Sequence, residues 1–369
     1  MQPAKTLLLG LAALLLSGCG GAVPDAGANA RTETLAEGLD HPWAMAFLPD
    51  GGLLVTERSG QLLRLDPATG KRRAIGGVPE VDARNQGGLL DVALHPDFAD
   101  NRQVYLTWSG ACDGGNATHL GRGRLTAGRL ADFETLFVAT PCVASTKHFG
   151  SRLAFDGDGH LWMTVGERGQ RERAQDLGDH NGAVLRLNAD GSVPADNPFV
   201  ERADARDAIF SYGHRNPQGM AMHPETGRIW IHEHGPRGGD EINLPEAGAN
   251  FGWPKQTYGR EYHGPEIAPD EVPGIVGPIH QWTPSIAPSG MAFYTGSRFP
   301  QWRGDLFVGA LALTHLARLE LDGTEVVAEH RLLADRGWRI RAVAQGPDEA
   351  LYVLTDHDNG RLVRVTPAP

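Results

Sequence analysis

An all-β fold, a six-bladed β-propeller, is what this sequence predicts, and three observations predict it. A phrase recurs six times: an alanine flanked by apolar residues, a turn, then a short run of β-formers, with the aligned alanines at 46, 93, 154, 221, 292 and 344. The spacing of those alanines leaves room for about four strands of roughly 5 to 6 residues plus loops per copy, the size of one propeller blade. The 48 Gly and 25 Pro, with no long apolar pattern of helical period, point to many turns and short strands.

Taken in order, the chain opens with Lys5, an apolar run from Leu7 to Leu16, and Leu16-Ser17-Gly18-Cys19. So short a run cannot span a bilayer. With its positive start it predicts an export signal over residues 1–18, and its end resembles a bacterial lipoprotein cleavage box. Cys19 is then the expected lipidated first residue, with residues 19–32, rich in Gly and Ala, as a flexible tether. The expected location is periplasmic, lipid-anchored at the outer membrane. An ordinary secretory peptide cut near Cys19 is the alternative. The propeller is expected over residues 33–369, with no internal domain boundary.

The first copy of the phrase runs from Trp43 to Phe47, through Pro49-Asp50-Gly51-Gly52 to Leu53–Thr56, and the third nearly repeats it at Arg152–Phe155, Asp156-Gly157-Asp158-Gly159 and Leu161–Val165. Two long inserts, Asp176 to Ala208 and Ala247 to Trp282, are expected as loops on the face that carries a central site. Glu33 to Leu35 is expected to pair beside Arg361 to Val365 and close the ring, since closure removes exposed strand edges. Cys112 and Cys142 sit beside turn residues, and in an oxidising compartment a disulfide between them is expected, two unpaired buried thiols being the alternative. The formal charge of -11 argues against nucleic acid and anionic membrane surfaces as partners.

Polar residues precede the repeated strands where packing alone would not need them: Gln86, His148, Arg215 with Asn216, and Arg339 with Arg341. In a propeller each innermost strand starts at the same face beside the channel, so these residues are expected to converge on one axial pocket. The densest stretch runs from Tyr212 to Asn243. It gathers Arg215, Asn216, a Gly235-Pro236 turn and the acids Asp240 and Glu241 around one strand pair.

The set QGGLLDVALHPDF (86–98), HFGSRLAFDGDG (148–159), GHRNPQG (213–219), HGPRGGDEINL (234–244), NFGWP (250–254) and RIRAVAQGPD (339–348) resembles the soluble aldose sugar dehydrogenases, six-bladed propellers that use pyrroloquinoline quinone (PQQ). The resemblance covers nearly all of the chain after the leader. It implies PQQ- and Ca²⁺-dependent oxidation of the anomeric carbon of an aldose to a lactone, with electrons leaving to an external acceptor. It makes His148 the general base, oriented by Glu167. Gln86, Arg215, Asn216, Tyr262, Arg339 and Arg341 become quinone contacts, and the Gly235 and Pro236 carbonyls ligands of the calcium on the quinone. Glu241 with the Phe251 carbonyl matches the family's other calcium site. These residue types suit the chemistry, because arginines bind carboxylates in a planar fork and a neutral His can accept the proton of a hydroxyl. Two positions depart from the pattern: Ala312 stands where the family has a lysine, and Glu167 where it has the shorter Asp.

Two readings of other classes compete with this one: a non-catalytic propeller lipoprotein that binds a ligand or partner, and a calcium-dependent hydrolase or lactonase. The second would need several acids converging on an axial metal, where this sequence places arginines. His232 and His234 share a strand face but lack a third ligand for zinc, and Asp156-Gly157-Asp158-Gly159 is expected as a hairpin turn rather than a calcium loop.

Overall fold

Six antiparallel four-stranded sheets, each of strands adjacent in sequence except at the ring closure, account for all 24 strands of the computed structural model. It describes residues 30–368, so the expected leader and Cys19 lie outside the described residues. The innermost strands of blades 1 to 6 are Pro42–Phe47, Leu89–Leu94, Leu153–Phe155, Pro217–Met222, Pro288–Phe293 and Ile340–Gln345. Each contains one of the six aligned alanines, half-buried in every case.

The hydrophobic core is divided into wedges between consecutive blades. Leu54, Leu62 and Ile75 of blade 1, for example, pack with Val92, Val104 and Leu106 of blade 2. The second strands of blades 1, 2 and 3 also stitch each of these blades to the next. Thr56, Thr107 and Thr164 each accept a backbone N–H in or just before their own innermost strand (Ala44, Asp91 and Arg152) and donate to a carbonyl in or just before the innermost strand of the following blade (Leu90, Ser151 and Pro217). In blade 4 His232 takes the threonine's place, fully buried, and the facing strand makes room with Gly219, where a Cβ would stand 1.9 Å from the ring Nε2. Burial holds His232 down to about 3, so it packs as a neutral ring.

The ring closes as expected but with a longer strand, so residues 30–32 belong to the propeller and not to the expected tether. Ala30–Leu39 pairs antiparallel with Gly360–Pro367 as the outer strand of blade 6, placing Thr32 opposite Val365 and Thr34 opposite Val363. Because strands alternate in direction, the starts of the innermost strands and the ends of the second strands all reach one face of the ring, called here the upper face.

That alternation corrects the reading of the two inserts. Residues 176–208 are not a single loop, since Ala183–Leu187 is the third strand of blade 3. Only the part before it lies on the upper face. Residues 188–208 lie on the lower one, where the Ala189 carbonyl accepts from the Tyr105 hydroxyl at 2.7 Å. The other insert behaves as expected in part: it climbs beside the outer strand of blade 3, with Asn250 bridging Tyr212, and spreads over the upper face before His280–Trp282 completes blade 4.

Candidate active site

In five of the six innermost strands the pairing register slips within the first residues, between Pro42/Ala44, Leu89/Val92, Pro217/Gly219, Pro288/Met291 and Ile340/Ala342. Such bulges bend a strand and re-aim its side chains, and they sit where the predicted site residues begin. The partners come from the ends of the second strands, which return to the same face.

In blade 3, His148 lies before the innermost strand and Glu167 just beyond the second, so the blade hairpin brings them together: Nδ1 of His148 stands 2.9 Å from Glu167 Oε1. Both are buried. Burial pushes the imidazole below its ordinary value and the nearby Arg215 charge adds to this, while the Glu167 hydrogen bond opposes it. Burial would raise the Glu167 carboxyl, but the His148 hydrogen bond and the Arg215 charge outweigh it and the carboxyl ends below the usual range. The pair is therefore a carboxylate and a neutral imidazole at neutral pH. The carboxylate can only accept, so Nδ1 carries the hydrogen and Nε2 keeps a free lone pair.

The backbone under His148 is strained, with φ of 56° at a non-glycine residue. It is held by neighbours on other blades: the His148 N–H donates to Gln86 Oε1 at 2.8 Å, and the Gly150 N–H to Asn216 Oδ1 at 3.1 Å. Gly166 permits this closeness, because a Cβ there would fall 2.2 Å from the His148 carbonyl oxygen. Gln86, His148, Glu167 and Asn216, drawn from blades 2, 3 and 4, thus form one cluster.

Arg215 lies at the edge of that cluster. Its Nη1 donates to the carbonyls of His234 and Gly235 at 3.0 and 3.1 Å, and its guanidinium lies 5.4 Å from the centre of the Trp253 ring. The Gly235 N–H donates to Asp240 Oδ1 at 2.9 Å, while Asp240 Oδ2 accepts from Ser285 Oγ and from the Ile286 and Ala287 N–H groups, which fixes the Gly235-Pro236 turn. Burial nevertheless raises the Asp240 carboxyl to about 6.

Beside that turn is a cavity of about 10 Å³ lined by Glu233, Glu241, Gly235, Phe251, Gln256 and Thr257 among others. It has room for one water- or ion-sized centre. Two buried acids share it, and the Asn243 amide donates to both, to Glu233 at 3.0 Å and to Glu241 at 3.3 Å, while Glu233 also accepts from His214 Nδ1 and the Arg215 N–H. Burial, then the Glu233 charge, pushes Glu241 well above the carboxylate range. A hard cation with oxygen ligands would offset both effects.

Blade 6 supplies the remaining arginines. Arg339 Nη2 and Arg341 Nη2 both reach Asp356 Oδ2 at 3.0 Å, and Arg341 Nη1 bridges to Gln218 Oε1 of blade 4 at 3.2 Å. Burial alone would raise Asp356, but the two guanidinium groups hold it well below the usual carboxylate range. Arg341 is buried, whereas the Arg339 side chain is 49% exposed on the upper face. Ala312 lies beside it, one residue past Leu311, whose carbonyl accepts from Arg339 Nη1 at 2.9 Å.

Tyr262 alone among the expected side chains stands apart. It is 57% exposed on the insert, and only its backbone carbonyl is engaged, by Arg237 Nη1 at 3.4 Å. Cys112 and Cys142 form the expected disulfide, with Cα atoms 6.1 Å apart, on the upper face of blade 2. The reading from sequence missed Asp356 and Glu233, the acids that organise the blade 6 arginines and the cavity. The signal was available: Glu57, Glu167, Glu233 and Asp356 all stand at or just past the end of a second strand.

Residues 39–364 match the family model described as Glucose / Sorbosone dehydrogenase. The aldose sugar dehydrogenase YliI of Escherichia coli is 48% identical over 92% of this chain and 94% of its own length. A crystal structure of the soluble aldose sugar dehydrogenase from Escherichia coli in its apo form superposes with a TM-score of 0.89 at 47% identity, covering 92% of this chain and 100% of that one. The PQQ-bound aldose sugar dehydrogenase from Streptomyces coelicolor superposes with a TM-score of 0.75 at 29% identity, covering 92% of this chain and 99% of that one. The chain belongs to the glucose/sorbosone dehydrogenase family and is an oxidoreductase of the sugar dehydrogenase kind.

Proposed function

We propose that this protein oxidises the anomeric carbon of aldoses to lactones with PQQ and Ca²⁺, and that His148 is the base. The observation that carries this reading is the buried, neutral His148, whose Nδ1 is committed to Glu167 and whose Nε2 is left as the acceptor. The cluster on the upper face fits the cofactor. Arg339, half-exposed beside Arg341, and Arg215 offer guanidinium groups to carboxylates, and Gln86 and Asn216 are the further contacts, whereas Tyr262 would have to move in from the insert to join them. The Gly235 and Pro236 carbonyls would hold a calcium on the quinone. The cavity with Glu241 and Phe251 suits a second, structural calcium.

When bound, the calcium-polarised quinone supplies the acceptor for a hydride, and an external acceptor then takes the electrons. His148 Nε2 removes the proton of the C1 hydroxyl as the C1–H bond breaks and the C1–O bond gains its second component, so lactone, one proton and one hydride account for the substrate. Glu167 stabilises the imidazolium that forms, and the Arg215 guanidinium would offset negative charge that grows on the bound cofactor. Loss of the family lysine at Ala312 removes one ion pair, roughly 1 to 3 kcal/mol of cofactor affinity. The arginines remain.

Adding PQQ and Ca²⁺ to the purified protein should produce dye reduction that depends on aldose, and a panel of aldoses with no reduction would refute the proposal. Anchoring through Cys19 belongs to the same reading. Among the described residues no helix is long and apolar enough to cross a membrane. Because Cys19 would carry the lipid ahead of the propeller, Cys19→Ser should move the protein from the membrane fraction to the soluble one with turnover unchanged, and continued sedimentation with membranes would refute the anchor.

A further inference from the structure

Glu167 and Arg168 are consecutive residues past the second strand of blade 3, and they hold the His148 segment from two sides. Glu167 fixes the ring, as described. Arg168, only 1% exposed, points the other way, under the loop that delivers His148. Its Nε donates to the Lys147 carbonyl at 3.0 Å, Nη2 to the Ser145 carbonyl and to Asn116 Oδ1, both at 2.6 Å, and Nη1 to the Asn116 carbonyl at 3.1 Å. The guanidinium also lies 3.7 Å from the centre of the Phe149 ring. Asn116 is itself anchored, by Nδ2 to Asp82 Oδ2 at 2.8 Å and by a backbone bridge to Val143.

None of the Arg168 hydrogen bonds reaches a carboxylate; all go to neutral oxygens. A buried cation without a paired anion is a poor way to add stability, and an apolar residue of similar size would serve that purpose as well or better. What a guanidinium adds is geometry, because its planar fork fixes several carbonyls in one plane as an ammonium cannot. The oxygens it fixes are those of residues 145 and 147, immediately before a His148 whose backbone lies in the left-handed region at φ of 56°. Nothing in a β-ladder holds that segment, since the innermost strand of blade 3 begins only at Leu153.

From this geometry we infer that Arg168 is a positioning residue for the base: its guanidinium sets the main chain of residues 145–148 so that the His148 ring meets Glu167 while Nε2 faces the reacting hydroxyl. Residues 167 and 168 thus act as one two-pronged holder, a carboxylate on the ring and a guanidinium on the peptide. The inference rests on the proposed role of His148.

Two variants and two readouts test it. Arg168→Lys keeps the charge but cannot span three residues' carbonyls, and Arg168→Met keeps the bulk without donors. In nitrogen-15 spectra of the cofactor-free protein, the His148 Nδ1–H resonance, assigned by its loss in His148→Gln, should be present in the unmutated protein and broadened by solvent exchange in Arg168→Lys. After loading with PQQ and Ca²⁺, kcat of Arg168→Lys should fall roughly 10- to 100-fold while KM for aldose and bound quinone change by less than about threefold, as expected when a reacting group is displaced by about an ångström. An Arg168→Lys protein with the unmutated resonance and unmutated kcat would overturn the inference, as would equal loss of kcat and quinone binding. If Arg168→Met does not fold, the Lys variant still decides. If the unmutated protein reduces no dye, the proposed function fails, yet the resonance still tests whether Arg168 positions His148.

Discussion

Blades 3 and 6 use the same hairpin to different ends. In each, a basic side chain before or at the start of the innermost strand meets an acid just past the end of the second: His148 with Glu167 in blade 3, Arg339 and Arg341 with Asp356 in blade 6. The blade 3 pair is sealed, and burial leaves it a neutral imidazole beside a carboxylate, a group that can gain and release a proton. In blade 6 the acid is bound by two permanent cations, one of which remains 49% exposed, so the group keeps a net positive charge and cannot relay protons. The backbone supplies the meeting point, and the residue type decides between proton transfer and anion binding.

The largest expected effect separates the two at once. His148→Gln should lower turnover by roughly 10²–10⁴-fold, the usual range for a lost general base, with quinone still bound. Asp356→Asn should act on binding instead. Freed of their common partner, Arg339 and Arg341 lose their fixed placement, and quinone affinity should fall by about 10- to 100-fold, the size expected for charge-assisted hydrogen bonds. Turnover per bound quinone should change little. A fall in turnover at full occupancy in the Asn variant would erase the distinction between the blades.

Smaller effects sharpen the same comparison. Because burial lowers the His148 pKa, the neutral form that accepts a proton prevails at neutral pH, so the rate should be flat there and decline only as pH drops below the ordinary histidine range. A rate that climbs through pH 7 to 8 would contradict a buried imidazole base. Replacing Cys112 and Cys142 with Ser should cost about 2 to 4 kcal/mol of stability while leaving kcat near that of the intact protein, as a denaturation midpoint measured beside an activity assay would reveal. A loss of activity without loss of stability would mean that the bridge itself aligns the His148 loop.

How much of this was legible in the sequence differs between the framework and the site. The six alanines were readable because they repeat in a strand that every blade must pack in the same way, and the residues before those strands then followed from the topology. The acids that complete the pairs were less legible. Glu167 was found through resemblance, whereas Asp356 and Glu233 were passed over, because a strand-end acid declares its partner only once the hairpin register is known. The insert containing Ala183–Leu187 was misread for a related reason. A strand buried on both faces shows a run of apolar residues without alternation, and missing one strand inverts the face on which the following loop emerges. Arg168 gave no pattern at all, since its partners are three backbone carbonyls and the Asn116 amide oxygen, which the fold brings together from distant parts of the sequence.

The central claim, that blade 3 moves the proton while blade 6 holds the cofactor, is tested most directly by measuring bound quinone and aldose-dependent turnover on the same preparations of the unmutated, His148→Gln and Asp356→Asn proteins. The account predicts full occupancy with little turnover for the His148 variant, and low occupancy with near-normal turnover per bound quinone for the Asp356 variant. Loss of occupancy in the His148 variant that matches its loss of turnover would contradict it.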